Sequence, residues 1–199
     1  MASIINASTS AGVVTTADTS GTLQLQSAGV TQMTVDSTGA YGQIKTGTAV
    51  ASTSGTSITF TGIPSWAKRI TVMFSAVSVS GTANVIVQVG SGSVSTTSYS
   101  SQSSRTAGAG STASSTATNG HLILGGQAVD TLSGHMILTS ITGNTWISSH
   151  AIGNVGSTTN MAGGGLSPNL AGSLDRIVIT TSNGTDTFDA GSVNIMWEG

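Results

Sequence analysis

The sequence has very little charge. Of its 199 residues, five are Lys or Arg and seven are Asp or Glu, which together make up 6% of the chain, and the formal net charge is −2. Proteins that bind nucleic acid usually gather basic residues on one face, and here only Lys68 and Arg69 are adjacent. The composition therefore argues against a nucleic-acid partner.

Cysteine is absent, so the chain can form neither disulfides nor thiolate metal sites. No stretch approaches the ~18 apolar residues that a membrane-spanning helix needs. Residues 1–6 lack both the basic start and the continuous apolar run of a signal peptide. We therefore expect a chain that is made in the cytoplasm and does not insert into a membrane.

Small hydroxylated residues fill much of the sequence. It contains 33 Ser, 32 Thr and 27 Gly, yet 37% of its residues are hydrophobic, and its mean hydropathy is +0.23. Disordered chains combine low hydrophobicity with high net charge, and this chain has neither property. Val, Ile and Thr mixed with Gly are typical of pleated sheets joined by tight turns. The composition predicts an all-β protein with no long helix.

Residues 1–50 predict short strands separated by turns. The sequence from 22 to 26 alternates, which places Leu23 and Leu25 on one face, and further short strands end in Val35 and Ile44. Such strands have too little apolar surface to fold alone, because an isolated hairpin is marginal in water. We therefore expect a strand extension that anchors the chain and packs against other copies of it, followed by a linker at residues 51–56.

Residues 57–199 predict an antiparallel β-sandwich of jelly-roll type. About eight short strands with turn signals between them indicate this fold class. We predict them at 57–61, 69–79, 84–89, 121–124, 134–141, 145–151, 174–181 and 192–198. Gly81-Thr82 predicts a hairpin, and Gly143-Asn144 predicts a tight turn. Residues 103–120 and 153–173 fit no strand, and segments of that length are either contact sites or solvated connections.

Few residues of the sequence are candidates for catalysis or metal binding. His121, His135 and His150 could meet at a metal, although such residues are more often scattered over strand faces. Asp186 and Asp189 are the only close carboxylate pair, and turn carboxylates usually cap their own backbone rather than hydrolyse glycosides. The sequence has no Gly-x-Ser-x-Gly elbow. We therefore assign no catalytic, cofactor-binding or metal-binding residue and expect no enzyme activity.

The three tryptophans have different contexts. Trp197 follows Val193 and Ile195 at alternate positions, which predicts a core residue. Trp66 follows Pro64 and is expected to close one end of the sandwich. Trp146 alternates with Ser148 and His150, so its face reads as polar. If one Trp stacks on a glycan, this pattern favours Trp146.

Three stretches resemble bacteriophage tail-fibre and virion proteins. Thr22-Leu-Gln-Leu-Gln26 with Met33-Thr-Val-Asp-Ser-Thr-Gly39 resembles the strand-turn units near the start of tail fibres. Phe60-Thr-Gly-Ile-Pro-Ser-Trp-Ala-Lys-Arg-Ile-Thr-Val-Met-Phe74 is similar to a motif that recurs in these proteins, and Phe188-Asp-Ala-Gly-Ser-Val-Asn-Ile-Met-Trp-Glu198 is similar to their closing strand.

The resemblance implies a non-enzymatic virion protein. It would be a surface appendage of tail-fibre type, a homotrimer that contacts other virion proteins and the host surface, including a host glycan. The alternative is a capsid decoration or cement protein, which the short chain without a long shaft favours. A polysaccharide-degrading tailspike and a simple lectin module remain more distant alternatives.

Overall fold

The computed structural model of the protein describes residues 23–36, 39–41, 44–125 and 127–199. The chain divides into two compact units, residues 1–43 and 44–199. Strands dominate the described residues, and the helical element there is a single 3-10 turn at Gly108–Gly110. No helix of this described part is long and apolar enough to cross a membrane. The all-β prediction is confirmed.

The first unit contains a three-stranded antiparallel sheet. Its strands are β1 (Leu23–Ser27), β2 (Val30–Asp36) and β3 (Gly39–Tyr41), in that order. Ala28 and Gly29 join β1 to β2 with positive φ angles of 51° and 76°. Two successive positive φ values match the right-handed twist of a hairpin. The predicted strand-turn pattern is thus present, whereas residues 1–22 lie outside the described residues.

The second unit contains two antiparallel sheets. The strands are β4 (Ile44–Thr46), β5 (Val50–Ala51), β6 (Ser57–Thr61), β7 (Arg69–Val79), β8 (Val85–Ser91), β9 (Ser93–Val94), β10 (Ser100–Thr106), β11 (Thr112–Ala117), β12 (His121–Ile123), β13 (Leu132–Thr142), β14 (Thr145–Asn154), β15 (Asn160–Leu166), β16 (Arg176–Thr181) and β17 (Phe188–Glu198). The large sheet has the order β11-β10-β15-β14-β13-β7-β17-β4, with β5 also paired to β17. The small sheet has the order β12-β8-β16-β6, with β9 paired to β8.

One hydrophobic core serves both sheets. Val72, Met136 and Ile195 of the large sheet are at most 1% exposed, as are Val87 and Ile179 of the small sheet, and all five belong to one cluster. Burial alternates along β6 and β16, because successive strand residues point to opposite faces. Two sheets that share a core in this way are consistent with the predicted β-sandwich.

The separate N-terminal segment is shorter than predicted. Residues 44–46 and 50–51, which we assigned to the oligomerisation segment and the start of the linker, pair with β17 of the same chain. Ser52 of the expected linker is also fully buried, and its Oγ donates to the carbonyl oxygen of Ala190 at 2.7 Å. The boundary between the units therefore lies before residue 44 rather than near 50.

Two further expectations are wrong. The hairpin predicted at Gly81-Thr82 does not form, because β7 belongs to the large sheet and β8 to the small one. The segments 103–120 and 153–173 are not structureless, because they contain most of β10, β11 and β15. By contrast, the predicted tight turn at Gly143-Asn144 is present and joins β13 to β14.

Candidate functional site

Two of the three histidines meet between the sheets. His121 lies on β12 of the small sheet and His150 on β14 of the large sheet, and they are 0% and 6% exposed. His121 Nδ1 is hydrogen-bonded to Ser148 Oγ at 2.8 Å. His150 Nε2 is hydrogen-bonded to Ser103 Oγ at 3.1 Å. We call Ser103, His121, Ser148 and His150 the histidine cluster.

The strand pattern explains how these side chains come together. Ser148 and His150 are successive inward positions of β14, about 7 Å apart along the strand. His121 bonds to Ser148 and therefore lies beside His150. Ser103 enters from β10, whose alternate residues Ser101 and Ser103 are buried.

Serine hydroxyls also bind the backbone of the small sheet's edge. Ser103 Oγ accepts the N–H of Leu124 at 3.2 Å, and Ser101 Oγ accepts the N–H of Leu122 at 2.8 Å. Because β12 pairs with β8 on one side only, these two bonds attach its free edge to the large sheet. The two serine hydroxyls thus accept the backbone N–H groups that the carbonyl oxygens of a neighbouring strand would otherwise accept.

Both cluster rings are electrically neutral near pH 7. Burial lowers the pKa of His121 to about 4, and the neighbouring His150 adds a smaller effect in the same direction. Burial likewise lowers the pKa of His150 to about 4. His121 Nε2 and His150 Nδ1 are buried without a hydrogen-bond partner. Charging either ring would therefore place a positive charge in the core and leave at least one ring N–H without an acceptor.

Tyr99 closes one side of the cluster. Its ring meets the ring of His121 edge-on, with centroids 5.2 Å apart. The Tyr99 hydroxyl accepts the N–H of Val89 at 2.8 Å and donates to the carbonyl oxygen of Ser95 at 3.0 Å. Burial raises the pKa of Tyr99 to about 12, so this hydroxyl stays protonated.

The cluster contains a Ser–His pair of the kind that activates a nucleophile. In such pairs the His acts as a base and its other ring nitrogen is oriented by a third group. Here Ser103 is fully buried, and its Oγ already accepts a backbone N–H. His150 Nδ1 has no partner. The geometry suits a packing role, because no substrate can reach Ser103 Oγ in this closed arrangement.

His135 lies apart from the other two histidines. It is exposed on β13, on the outer face of the large sheet, opposite Met73 and Ala151. Over the described ranges, no three His, Cys, Asp or Glu side chains come together as a metal site would require.

The two carboxylates weighed for hydrolysis have different settings. Asp186 accepts hydrogen bonds from Asn183 Nδ2 at 2.8 Å and from the N–H of Ala83 at 2.9 Å. These bonds lower its pKa, the first of them most. A glycosidase general acid needs a raised pKa, so this environment does not suit one. Asp189 is an exposed residue near the start of β17.

Trp146, the tryptophan that the sequence pattern favours for glycan stacking, is a core residue. It is 4% exposed and belongs to the shared hydrophobic cluster. Its polar neighbours Ser148 and His150 suggest an outward face, but both point inward, where Ser148 bonds to His121 of the small sheet and His150 bonds to Ser103 of the large sheet itself. Trp66 is 39% exposed, whereas Trp197 is partly buried and packs against the core as predicted.

The first unit exposes an apolar surface. Leu23 and Leu25 of β1 are 47% and 41% exposed, and they pair across the hairpin with Val35 and Met33 of β2. Directly opposed residues share one face of a sheet. We call Leu23, Leu25, Met33 and Val35 the N-terminal apolar face.

Sequence reasoning predicted Leu23, Leu25 and Val35 of the N-terminal apolar face, but it grouped them with Ile44, which belongs to the second unit, and it missed the histidine cluster. The alternation of Leu23 and Leu25 signals the face directly. The inward-facing Ser103 could be recognised only from its partner on another strand, because a buried Ser and a solvated Ser look alike in a sequence.

Comparison of the chain with models of known protein families, with curated proteins and with solved structures finds no match. The resemblance to phage tail-fibre proteins thus stays a prediction.

Proposed function

We propose that the protein is a structural component of a bacteriophage particle, a surface appendage of tail-fibre type that acts by assembly and host-surface contact. In this proposal three chains associate through the N-terminal apolar face, and jelly-roll-like sandwiches face outward. The observation that carries the proposal is the exposure of Leu23 and Leu25 on a sheet of three short strands.

The exposed leucines support self-association on energetic grounds. Burying a Leu side chain completely contributes about 1.5–3 kcal/mol, so covering the exposed parts of Leu23 and Leu25 contributes about 2 kcal/mol per chain. The third strand of the first unit's sheet has three residues, so the sheet is little more than a hairpin, and an isolated hairpin is marginally stable in water. Sister copies would supply the missing apolar partner, and the threefold order follows from the resemblance to tail fibres.

The outer face of the large sheet supports a contact role that depends little on salt. Its outward positions on β10, β14 and β15 are mostly Ser, Thr, Gly and Ala, with Ile147 and Leu166 as one exposed apolar pair. The ion pair on this face joins Arg69 Nη1 to Glu198 Oε1 at 3.1 Å. Hydroxyl and backbone contacts are not screened by ions, unlike contacts between charges. Such a surface suits binding outside the cell in changing salt.

Labelling of intact particles tests the proposed location. Antibodies raised against residues 44–199 and marked with gold would be applied to phage particles and viewed by electron microscopy. Label at the tail supports the appendage, and label spread over the head supports the capsid-decoration alternative. Particles that carry no label contradict both.

The enzymatic alternative has its own assay. Purified full-length protein would be incubated with envelope polysaccharide of the host, and released oligosaccharide would be measured by chromatography. We expect none above the level given by heat-denatured protein. Release that depends on folded protein would overturn the proposal that the protein acts without turnover.

A further inference from the structure

We propose that the histidine cluster is an acid-sensitive latch: proton uptake by both rings releases β12 from the large sheet, while the rest of the second unit stays folded. This inference concerns residues 44–199 alone and does not depend on the proposed virion role. It rests on the position of His121 and His150 between an edge strand and the opposite sheet.

The attachment of β12 is small enough to open by itself. The strand has three residues and pairs with β8 on one side. Its other side is bonded to the large sheet by the His121–Ser148 pair and by the N–H groups of Leu122 and Leu124. Opening also uncovers the buried side chain of Ile123, but it leaves the backbone ladders of the large sheet intact, because none of them includes β12.

The hydrogen bonds of the cluster are lost or left unsatisfied when either imidazole ring takes up a second proton. Ser103 Oγ accepts the N–H of Leu124, so its own hydroxyl proton is best used on His150 Nε2. That arrangement requires Nε2 without a proton. When His150 is protonated at Nε2, this nitrogen can no longer accept the Ser103 hydroxyl proton, and the hydroxyl must turn away from the ring. Protonated His121 would carry an N–H at both ring nitrogens, and although Ser148 Oγ can accept the one at Nδ1, the one at Nε2 has no acceptor.

Among the described residues, no carboxylate contributes to the pKa of either ring, so none compensates for their charge. Strands β8, β11 and β15, which pack against β12, carry no titratable side chain, and Tyr99 stays neutral. The charged residue on β10 is Arg105, a cation whose Nη2 pairs with Asp130 Oδ1 at 3.4 Å. His135 on β13 points to the opposite face of the large sheet. Two imidazolium rings would thus repel each other without a counter-ion.

The direction of the pH effect follows from proton linkage. Each ring has a pKa of about 4 in the closed state and regains the ordinary value of about 6.5 when the latch opens. Between pH 4 and pH 6.5, roughly, the open state therefore binds more protons than the closed state. The closed state is fully favoured above about pH 6.5 and is lost as the pH falls toward 4.

Hydrogen exchange of the full-length protein tests the latch. Exchange protection would be measured by mass spectrometry with overlapping peptides within 118–125 that resolve the amides of Leu122 and Leu124, corrected for the intrinsic pH dependence of exchange. From about pH 7 to pH 5 we expect protection there to fall on the order of 500-fold, because two protons are taken up on opening. Peptides of β7 should keep their protection.

Three variants separate the latch from general acid unfolding. His121→Asn and His150→Gln each keep a hydrogen-bonding atom but cannot titrate, so the fall should shrink to about 20-fold. His135→Gln replaces the exposed histidine and should behave like the wild type. Equal falls in the wild type and in both cluster variants would overturn the proposal.

The wild-type protein is sufficient if a cluster variant does not fold. In that protein, pH-independent protection at 118–125 contradicts the latch. Loss of protection in β7 at the same pH as in β12 also contradicts it, because the event would then be unfolding of the whole unit.

Discussion

Single hydroxyl groups join the two sheets at one end of the core. Ser101 and Ser103 are 5% and 0% exposed, and each accepts a backbone N–H from the segment that contains β12. A buried polar group stabilises a core only when its partners are present, and removing one partner leaves the other unsatisfied. The contribution of these serines therefore depends on position rather than on residue type.

Replacing Ser103 by Ala should destabilise the second unit. The change leaves the N–H of Leu124 and His150 Nε2 without their partner, which costs about 1–3 kcal/mol. The neighbouring Ser104 is exposed, so Ser104→Ala should cost about 0.5 kcal/mol or less. Urea unfolding followed by tryptophan fluorescence measures both. Equal stability of the two variants would show that the buried hydroxyl contributes nothing.

Glycine is required where β15 approaches β10. A Cβ atom on Gly163 would lie 2.8 Å from His150 Cε1 and equally close to the Cα atom of Ser103. Gly163→Ala should therefore force the strands apart and lower the free energy of unfolding by about 1–3 kcal/mol. In Gly153→Ala the new Cβ meets no atom closer than 3.9 Å, so this variant serves as the control. Matching melting temperatures for the two would contradict the close packing.

At the scale of strands and hairpins, the sequence predicts those strands in which apolar and polar residues alternate. β6 and β7 were predicted with their observed bounds, because buried apolar residues recur at every second position along β6 and along the first half of β7. β10 and β15 were missed, because one buries Ser and the other is Gly-rich where two backbones come close. The partner of β7 was also mistaken, since pairing with the distant β17 leaves no local signal.

The β10–β11 hairpin, which the sequence did not predict, should be visible in amide hydrogen exchange. β10 is paired on both sides, with β11 and β15, whereas β11 forms the edge of the large sheet. Amides of residues 101–106 should therefore exchange more slowly with solvent than those of 112–117, which lack a second neighbour. Hydrogen exchange at neutral pH measures this difference. Uniformly fast exchange across 101–117 would contradict the β10–β11 hairpin and favour a solvated connection there.

For the whole molecule, the scarcity of charge predicts how it binds. If the large sheet contacts the host surface through hydroxyls and backbone, raising the salt from about 0.05 to about 0.5 M should change the affinity for host cells less than threefold, roughly, because screening acts on charges. Binding of fluorescent protein to cells in flow cytometry provides the measurement. A steep loss of binding with salt would point to an electrostatic contact instead.

The N-terminal apolar face should hold the chains together. Replacing Leu23 and Leu25 by Ser removes its two most exposed apolar residues and should yield monomers. Gln26→Ser is the matched control, because the Gln26 side chain bonds to that of Gln24, away from the apolar face. Near-ultraviolet circular dichroism checks that the second unit is intact, since all three tryptophans lie there.

The native mass of the full-length protein in solution tests this assembly most directly. Light scattering after gel filtration, at several concentrations, should give three times the 19.6 kDa of one chain. A stable mass of one chain at every concentration would mean that Leu23 and Leu25 need no sister subunit, and would contradict the proposed appendage.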